Sequence, residues 1–509
     1  MLLFAPMEKQ YLHIIETLTK QIESLTKQLD TLTKQNHQQQ LLTEKLQQQL
    51  DVLLRNTFGK KSERKKRDDE DDSTPDDKGS SKGAPAKTST KSKKKPRRNP
   101  LPDNLAREQI HYELTEQERT CQYCQQICRC IGNEISEQLE FVPAHLIVKE
   151  HVRYKYGCPL GCSVSIAPLP RQPIAKGIAG PGLLADVLVS KYQDAIPLYR
   201  QASRFKRYNV IIAESTLCDW VAASAELLAP LIPLLKETLL KSMKIHSDDT
   251  TMPVLAKRKT ITGRLWIYVA DGSDKAACTV YDYSPDRAQQ RPREFLKNFT
   301  GYLQADAYSG YDIVYKSGDV IEVGCLAHVR RKFFDISNAT KNKNTADEAL
   351  AIIGEIYALE TIFRPFTHIK RYFARKKFAK PIYRKFHRWL VKKQKTTIPE
   401  TPLAKAINYT LNHWRALQNV FANGRLEVDN NIAERGIRPI AVGRKNYLFA
   451  GSHEGGKRMA IIYSLIETCK QNGLNAFEYL RDILARLPTH PINMLYELLP
   501  FNWSGLLKS

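Results

Sequence analysis

The chain has 509 residues, 42% of them hydrophobic, which is more than one core usually organises, so two or more domains joined by linkers are expected. Lys and Arg number 78 against 54 Asp and Glu, a net charge of +24 that points to a polyanionic partner, nucleic acid before membrane, and away from an enzyme of small acidic substrates. No stretch reaches the roughly 20 apolar residues of a spanning helix. The nearest, Leu227 to Leu235, is interrupted by two prolines, and the start MLLFAPMEKQ turns charged too early for a signal peptide, so no membrane role and a cytoplasmic location are expected. Ten cysteines in a reducing compartment read as ligands or core residues before disulfides, and six of them fall between Cys121 and Cys162.

The words LTKQ at Leu18, Leu25 and Leu32 repeat with a period of seven. Position a holds Ile15, Ile22, Leu29, Asn36, Thr43 and Leu50, and position d holds Leu18, Leu25, Leu32, Gln39, Leu46 and Leu53. Nine of these twelve are Leu or Ile between polar flanks, which predicts a coiled coil over residues 8–57, and Asn36 at an a position favours a homodimer. The alternative is an amphipathic helix docked on its own chain. Residues 58–104 lose all apolar periodicity and alternate basic and acidic runs, the composition of a disordered linker that either grips phosphates or is only solvated. In 105–172, Cys121-x-x-Cys124 and Cys158-x-x-x-Cys162 form two pairs able to bring four thiolates to one structural Zn²⁺. Cys128 and Cys130 lie close enough to replace one of the first pair.

Residues 173–242 read as helices, LLADVLVSKY, LYRQASRFKRYNV and ESTLCDWVAASAELL, with Ser215 a plausible cap for the last. The arrangement resembles a helix-turn-helix, so this segment is a candidate DNA binder. From 243 to 338 the texture changes to five short apolar runs, MKIHSDDTTMPVL, GRLWIYVADG, ACTVYDYS, GYLQADAY and DVIEVGCLAH, with a helix-compatible stretch after Arg287. These predict a mixed α/β sheet. Residues 339–423 are helical with no strand candidate, an all-helical block interrupting the α/β domain, which resumes over 424–470 before a C-terminal helix and tail at 471–509. The expected class is multidomain α+β.

Between Thr361 and Pro399 there are thirteen Lys or Arg and no Asp or Glu, interleaved with Phe363, Phe366, Tyr372, Phe373, Phe378, Tyr383, Phe386 and Trp389. Such a block can follow phosphates while exposed aromatics stack on bases, although several aromatics must be ordinary core. Arg371, Arg375, Lys376, Lys377, Arg384 and Lys385 are its candidate DNA contacts. Further candidates are Arg330, Arg331 and Lys332 in CLAHVRRKF, and Arg435, Arg438, Arg444 and Lys445. In CLAHVRRKF, Cys325 and His328 either support an active site or are a core thiol and a satisfied imidazole.

Phosphoryl transfer on DNA by two metal ions needs acidic oxygens converging on one place. Asp248 ends the run MKIHSD and Asp306 ends GYLQAD, so both can project from neighbouring strand ends. Glu434 in DNNIAERGIRP lies one turn inside a helix that Asp429 or Asn430 can cap.

These words occur together in a family-specific order. FGKKSER, NPLPDNLAR, KYQDAIPLYRQ, STLCDWV, LQADAYSGYD, CLAHVRRKF, DNNIAERGIRPIAVGRKNYLFAGS and LLPFNW make the chain resemble the transposases of the insertion-sequence-66 family over nearly its whole length. The resemblance implies a ribonuclease-H-like catalytic domain carrying the helical block as an insertion, and Asp-Asp-Glu chemistry. Asp248 matches the first acid, Asp306 the second and Glu434 the helix acid, together holding two Mg²⁺ (or Mn²⁺) ions. The family usually reads Asp-Glu-Thr at the first motif, where this chain has Asp248, Asp249 and Thr250, so Asp249 is given a supporting place at most. The implied activity is metal-dependent cleavage at the ends of a mobile element on nucleoid DNA, followed by strand transfer through the freed 3′ hydroxyl, with small accessory proteins as further partners. The alternative is a non-catalytic DNA-binding relic or a repressor of transposition.

Overall fold

The computed structural model describes residues 171–505 apart from 176, 258 and 340–343, together with parts of 17–46, residues 146–151 and the backbone of 155–157 and 164–166. Residues 64–150 separate as a second compact unit, of which only 146–150, irregular and exposed, are described. The described part of 17–46 is a helix, α1, with Ile22, Leu25, Leu29 and Leu32 exposed along it. Strands β1 (Lys155–Gly157) and β2 (Val164–Ile166) pair antiparallel, with Lys155 opposite Ile166. Cys158 and Cys162 fall between them in sequence; like Cys121, Cys124, Cys128 and Cys130 they lie outside the described residues.

Four helices follow, α2 (Pro181–Tyr192), α3 (Leu198–Lys206), α4 (Glu214–Leu228) and α5 (Leu231–Leu240). Pro181 opens α2, where its missing N–H costs nothing, and Leu184, Ala185, Val187 and Leu188 form its buried face. Ser215 does not cap α4: the helix begins one residue before it, behind an extended Ala213 that offers no side-chain bond, and Glu214 meets the positive helix start instead.

The five apolar runs form one mixed sheet of β3 (Lys244–Ala256), β4 (Lys259–Ala270), β5 (Cys278–Ser284), β6 (Gly301–Gln304) and β7 (Val320–Val323), in the order β5-β4-β3-β6-β7. The first three are antiparallel neighbours, whereas β6 runs parallel to β3 and to β7. Short helices α6 (Gln290–Phe295) and α7 (Asp312–Tyr315) sit between strands. After β7 come α8 (Leu326–Ala339), α9 (Thr345–Phe363), α10 (His368–Ala374), α11 (Lys380–Thr396), α12 (Pro402–Asn412) and α13 (Trp414–Gln418), then α14 (Asn431–Tyr447), α15 (His453–Gln471) and α16 (Ala476–Arg486).

The sheet is covered on both faces. Tyr268 of β4 stacks on Phe295 of α6 with ring centroids 3.7 Å apart, while its neighbour Ile267 meets α14 on the opposite face. A Cβ on Gly436 would stand 2.2 Å from Ile267 Cδ1, so a larger residue there would have to displace the end of the buried Ile267 side chain. The outer edge of β5 is sealed by α15: the Tyr281 N–H donates to Ser464 Oγ (2.8 Å) and the Thr279 N–H to Thr468 Oγ1 (3.1 Å). At the far edge, Asn419 Nδ2 donates to the Glu322 carbonyl (2.7 Å) and the Gly324 N–H to the Ala416 carbonyl (3.0 Å). The block from α8 to α13 has its own core, centred on Phe333, Ile353, Phe386, Leu390, Ile407 and Leu417.

Candidate active site

Asp248 is not at a strand end. β3 continues through it to Ala256, paired residue by residue with β4, because the two form one long hairpin. What ends near Asp248 is the pairing with β6, whose last partners are His246 and Gln304. Two residues past Gln304 stands Asp306, its Oδ1 accepting from the Tyr308 N–H at 3.3 Å. The two acids therefore flank the crevice that opens where β6 leaves β3, at the carboxyl end of the parallel strands.

Glu434 reaches the same crevice because the chain before α14 is tied to β3, to β6 and to the start of α8. Buried Lys244 donates to the Arg425 carbonyl, Gln304 Nε2 to the Glu427 carbonyl (2.7 Å), and the Leu326 N–H to the Val428 carbonyl (2.9 Å). Asn430 is fully buried and makes four bonds: Nδ2 donates to the Ser247 carbonyl (2.7 Å), Oδ1 lies 3.1 Å from His246 Nδ1, its N–H donates to Cys325 Sγ (3.2 Å), and its carbonyl accepts from the Glu434 N–H (3.2 Å). Asn430 thus spends its side chain on β3 and caps nothing. Asp429 accepts from the Asn431 N–H (3.2 Å), and α14 begins with Glu434 in its first turn. The Tyr281 hydroxyl donates to the Gly436 carbonyl (2.6 Å), holding the next turn. Cys325 is a buried acceptor, while His328 Nε2 lies 3.8 Å from Glu434 Oε1.

Burial pushes the Asp248 carboxyl up to about 7, helped by Asp306, Asp249 and Glu434 nearby. Asp306 is also raised by burial, against the pull of His328 and Arg287. The Asp249 carboxylate is 1% exposed and is taken up by Arg264 (2.8 Å) and Arg287 (2.7 Å). Carboxylates are the donors that Mg²⁺ and Mn²⁺ prefer, and a bound cation relieves both the burial and the mutual repulsion that raise Asp248, so the set fits such ions in donor type and charge. Among the described residues, no three His, Cys, Asp or Glu side chains are gathered closely enough as they stand to enclose an ion.

The candidate DNA contacts divide. Arg375 is a correction: it is 0% exposed, with Nε and Nη2 each 2.7 Å from the Glu360 carboxylate and Nη1 2.7 Å from the Leu426 carbonyl, so its charge is used inside the block and is not open to phosphate. Arg371 pairs with Glu427 (3.2 Å), and Arg444 donates to Thr251 Oγ1 (2.7 Å). Lys385 pairs with Glu355 (2.8 Å) at the surface, and Arg330 is half-buried against Phe334. Arg331, Lys332, Lys376, Lys377, Arg384, Arg435, Arg438 and Lys445 are exposed. Of the block's aromatics, Phe363, Tyr383 and Phe386 are core, whereas Phe373 and Phe378 are exposed. Sequence reasoning missed Arg264, Arg287, Tyr308 and the bonding of Asn430; the two arginines lie outside the distinctive words, whereas Tyr308 in LQADAYSGYD and Asn430 in DNNIAERGIRP lie inside them but take partners far away in the chain.

Residues 176–458 match the family described as Transposase IS66 family, and 464–501 match the IS66 C-terminal element. Residues 118–160 match the zinc-finger binding domain of transposase IS66, which supports zinc, and 45–110 match Transposase C of IS166 homeodomain. The protein y4hP of Sinorhizobium fredii (strain NBRC 101917 / NGR234) is 33% identical over 447 residues, covering 83% of this chain and 80% of its own. From the same organism, y4jD is 33% identical over 421 residues, covering 80% and 82%. The first match takes in the sheet, the helical block and all three crevice acids, more than half of the sequence, and so the chain belongs to the IS66 family of transposases.

Proposed function

We propose that this transposase cleaves DNA at the ends of its mobile element and transfers the freed strand to target DNA, with Asp248, Asp306 and Glu434 holding two Mg²⁺ or Mn²⁺ ions. The observation that carries the reading is the approach of these acids, from β3, from the chain beyond β6 and from the first turn of α14, to one crevice where Asp248 is pushed up to about 7. When bound, such ions lower the pKa of the attacking water or 3′ hydroxyl and neutralise the leaving oxygen. The chain's own part is to hold the ligands: Asn430 fixes α14 to the residue before Asp248, and the Tyr308 N–H fixes Asp306. Arg435 and Arg438, exposed on α14, supply positive charge for the DNA backbone.

An antiparallel three-stranded meander extended by two parallel strands, with helices on both faces, supports a ribonuclease-H-like catalytic domain. Its helical insertion, α9 to α13, offers Lys376, Lys377 and Arg384 to phosphate. Cys121, Cys124, Cys158 and Cys162 are proposed to hold one structural zinc, and α1 to pair two copies.

The test is incubation of the full-length protein with labelled DNA from the ends of its own element and Mg²⁺. Cutting that leaves 3′ hydroxyl ends is expected, and Asp306→Asn should abolish it while the gel shift persists. Failure of the unmutated protein to cut, with accessory proteins supplied, supports the non-catalytic DNA-binding reading instead.

A further inference from the structure

Asp248, Asp249, Asp306 and Glu434 crowd the crevice with negative charge, so a phosphodiester arriving there needs a cation that belongs to the protein as well as any metal. Arg264 and Arg287 both bind Asp249, Arg264 Nη1 at Oδ2 (2.8 Å) and Arg287 Nε and Nη2 at Oδ1 (3.0 and 2.7 Å). One buried acid satisfied by two guanidinium groups leaves a surplus positive charge at that point. Arg264 alone already supplies one counter-charge for Asp249. Arg287 is the more open of the two, 35% exposed, and leans toward the crevice, its Nη2 3.7 Å from Asp306 Oδ2.

Arg287 is also held from a third side. Its guanidinium carbon lies 3.8 Å from the centre of the Tyr308 ring, and the Tyr308 hydroxyl donates to the carbonyl of Arg287 itself. Asp306 is bound by the N–H of the same tyrosine. The guanidinium is therefore fixed in place with its donors only partly used: Nε and Nη2 serve Asp249, and Nη1 has no partner among the described residues. A planar donor group held by a carboxylate and an aromatic ring, with one edge free beside clustered acids, suits the tetrahedral oxygens of phosphate.

We propose that Arg287 binds a non-bridging oxygen of the scissile phosphodiester through its free Nη1 edge, with Asp249 and Tyr308 as positioning residues. The proposal rests on the reading of Asp248, Asp306 and Glu434 as the cleavage site. It assigns Asp249 work distinct from that of Asp248: the first orients the cation that meets the phosphate, while the second is a metal ligand.

The experiment measures single-turnover cleavage of element-end DNA in Mg²⁺ by the full chain. Two substrates are compared, one with the natural phosphate at the mapped cut and one with a neutral methylphosphonate there. The unmutated protein should favour the charged substrate. Arg287→Gln should shrink that preference by about tenfold or more, since a charge-assisted bond is lost from one partner only. Asp249→Asn and Tyr308→Leu should shrink it in the same direction. Arg287→Lys, which keeps the charge and loses the planar edge, should lie between, and it decides the matter if Arg287→Gln melts too low to assay. A preference unchanged in a folded Arg287 variant overturns this assignment while leaving the cleavage site intact. No cutting by the unmutated protein, with accessory proteins supplied, overturns the cleavage reading and this proposal with it.

Discussion

The side-chain amide of Asn430 donates to the carbonyl of Ser247 at 2.7 Å, joining the residue that precedes Asp248 to the residue that precedes α14. Acids 186 positions apart, Asp248 and Glu434, are thereby placed by one buried side chain that also lies 3.1 Å from His246 Nδ1. Asn430→Ala leaves a buried carbonyl without its donor, at a cost of about 1–3 kcal/mol. Thermal melts should fall accordingly, and cleavage should fall at temperatures where the variant is fully folded. Normal cleavage there would show that α14 is positioned without this bond.

Stability without metal should depend on pH through Asp248. Its carboxyl rises from 3.8 to about 7 on folding, so the folded chain binds a proton that the unfolded chain releases across that window. Stability therefore declines as pH rises from about 4 to 7, with the penalty complete above pH 7. Asp248→Asn removes the penalty: in EDTA it should melt higher than the unmutated protein at pH 8 and close to it at pH 4. Equal melting at both pH values contradicts the raised carboxyl. Mg²⁺ should stabilise the unmutated protein at pH 8 more than the variant.

Two neighbouring cations in the helical block should part company. Arg375→Ala strands Glu360 without its partner in the interior and should cost about 3–5 kcal/mol, read as a lower melting temperature. Lys377→Ala, at an exposed site, should leave melting unchanged and reduce the slope of log affinity against log salt by about one. A salt slope unaffected by Lys377→Ala removes this face from the DNA interface.

The contrast shows what was legible in the sequence. All five strands could be read, because β-branched and aromatic runs such as RLWIYVA and CTVYDYS have a texture that no helix shares. Asp248, Asp306 and Glu434 stood in distinctive words. Which cation of RKKFAK turns inward could not be read, since the burial of Arg375 depends on Glu360 and the Leu426 carbonyl, 15 and 51 residues away. Arg287 lies in SPDRAQQ, which has no periodicity, and owes its place to a ring from Tyr308 and a carboxylate from Asp249. Asn430 looked like a cap because Asn often is one; the carbonyl of Ser247 competes for the same amide and wins.

Zinc content should be one per chain and should fall on Cys158→Ser. Binding should weaken with falling pH as the thiolates take up protons. The match to a zinc-finger segment ends at residue 160, two before Cys162, so the informative pair is Cys162→Ser against Cys128→Ser. Zinc retained in the first and lost in the second transfers the fourth ligand to Cys128.

Exposed Ile22, Leu25, Leu29 and Leu32 on α1 should pair two copies of the chain. Replacing Leu25 and Leu32 by proline costs about 3 kcal/mol or more at each site and breaks helix and seam together. Sedimentation of the full chain should then shift from dimer to monomer. A monomeric unmutated protein at high concentration would refute the pairing.

Both borders of the sheet are closed by side chains and loops, Ser464 and Thr468 on β5, Asn419 and the Ala416 carbonyl beyond β7. A protein crowded in several copies on one DNA molecule runs the risk that bare strands from neighbours will zip together. Here the hydroxyls of Ser464 and Thr468 on α15 occupy backbone donors of β5 that a foreign strand would need, so that border offers no free edge at Thr279 and Tyr281 for a neighbouring sheet to extend.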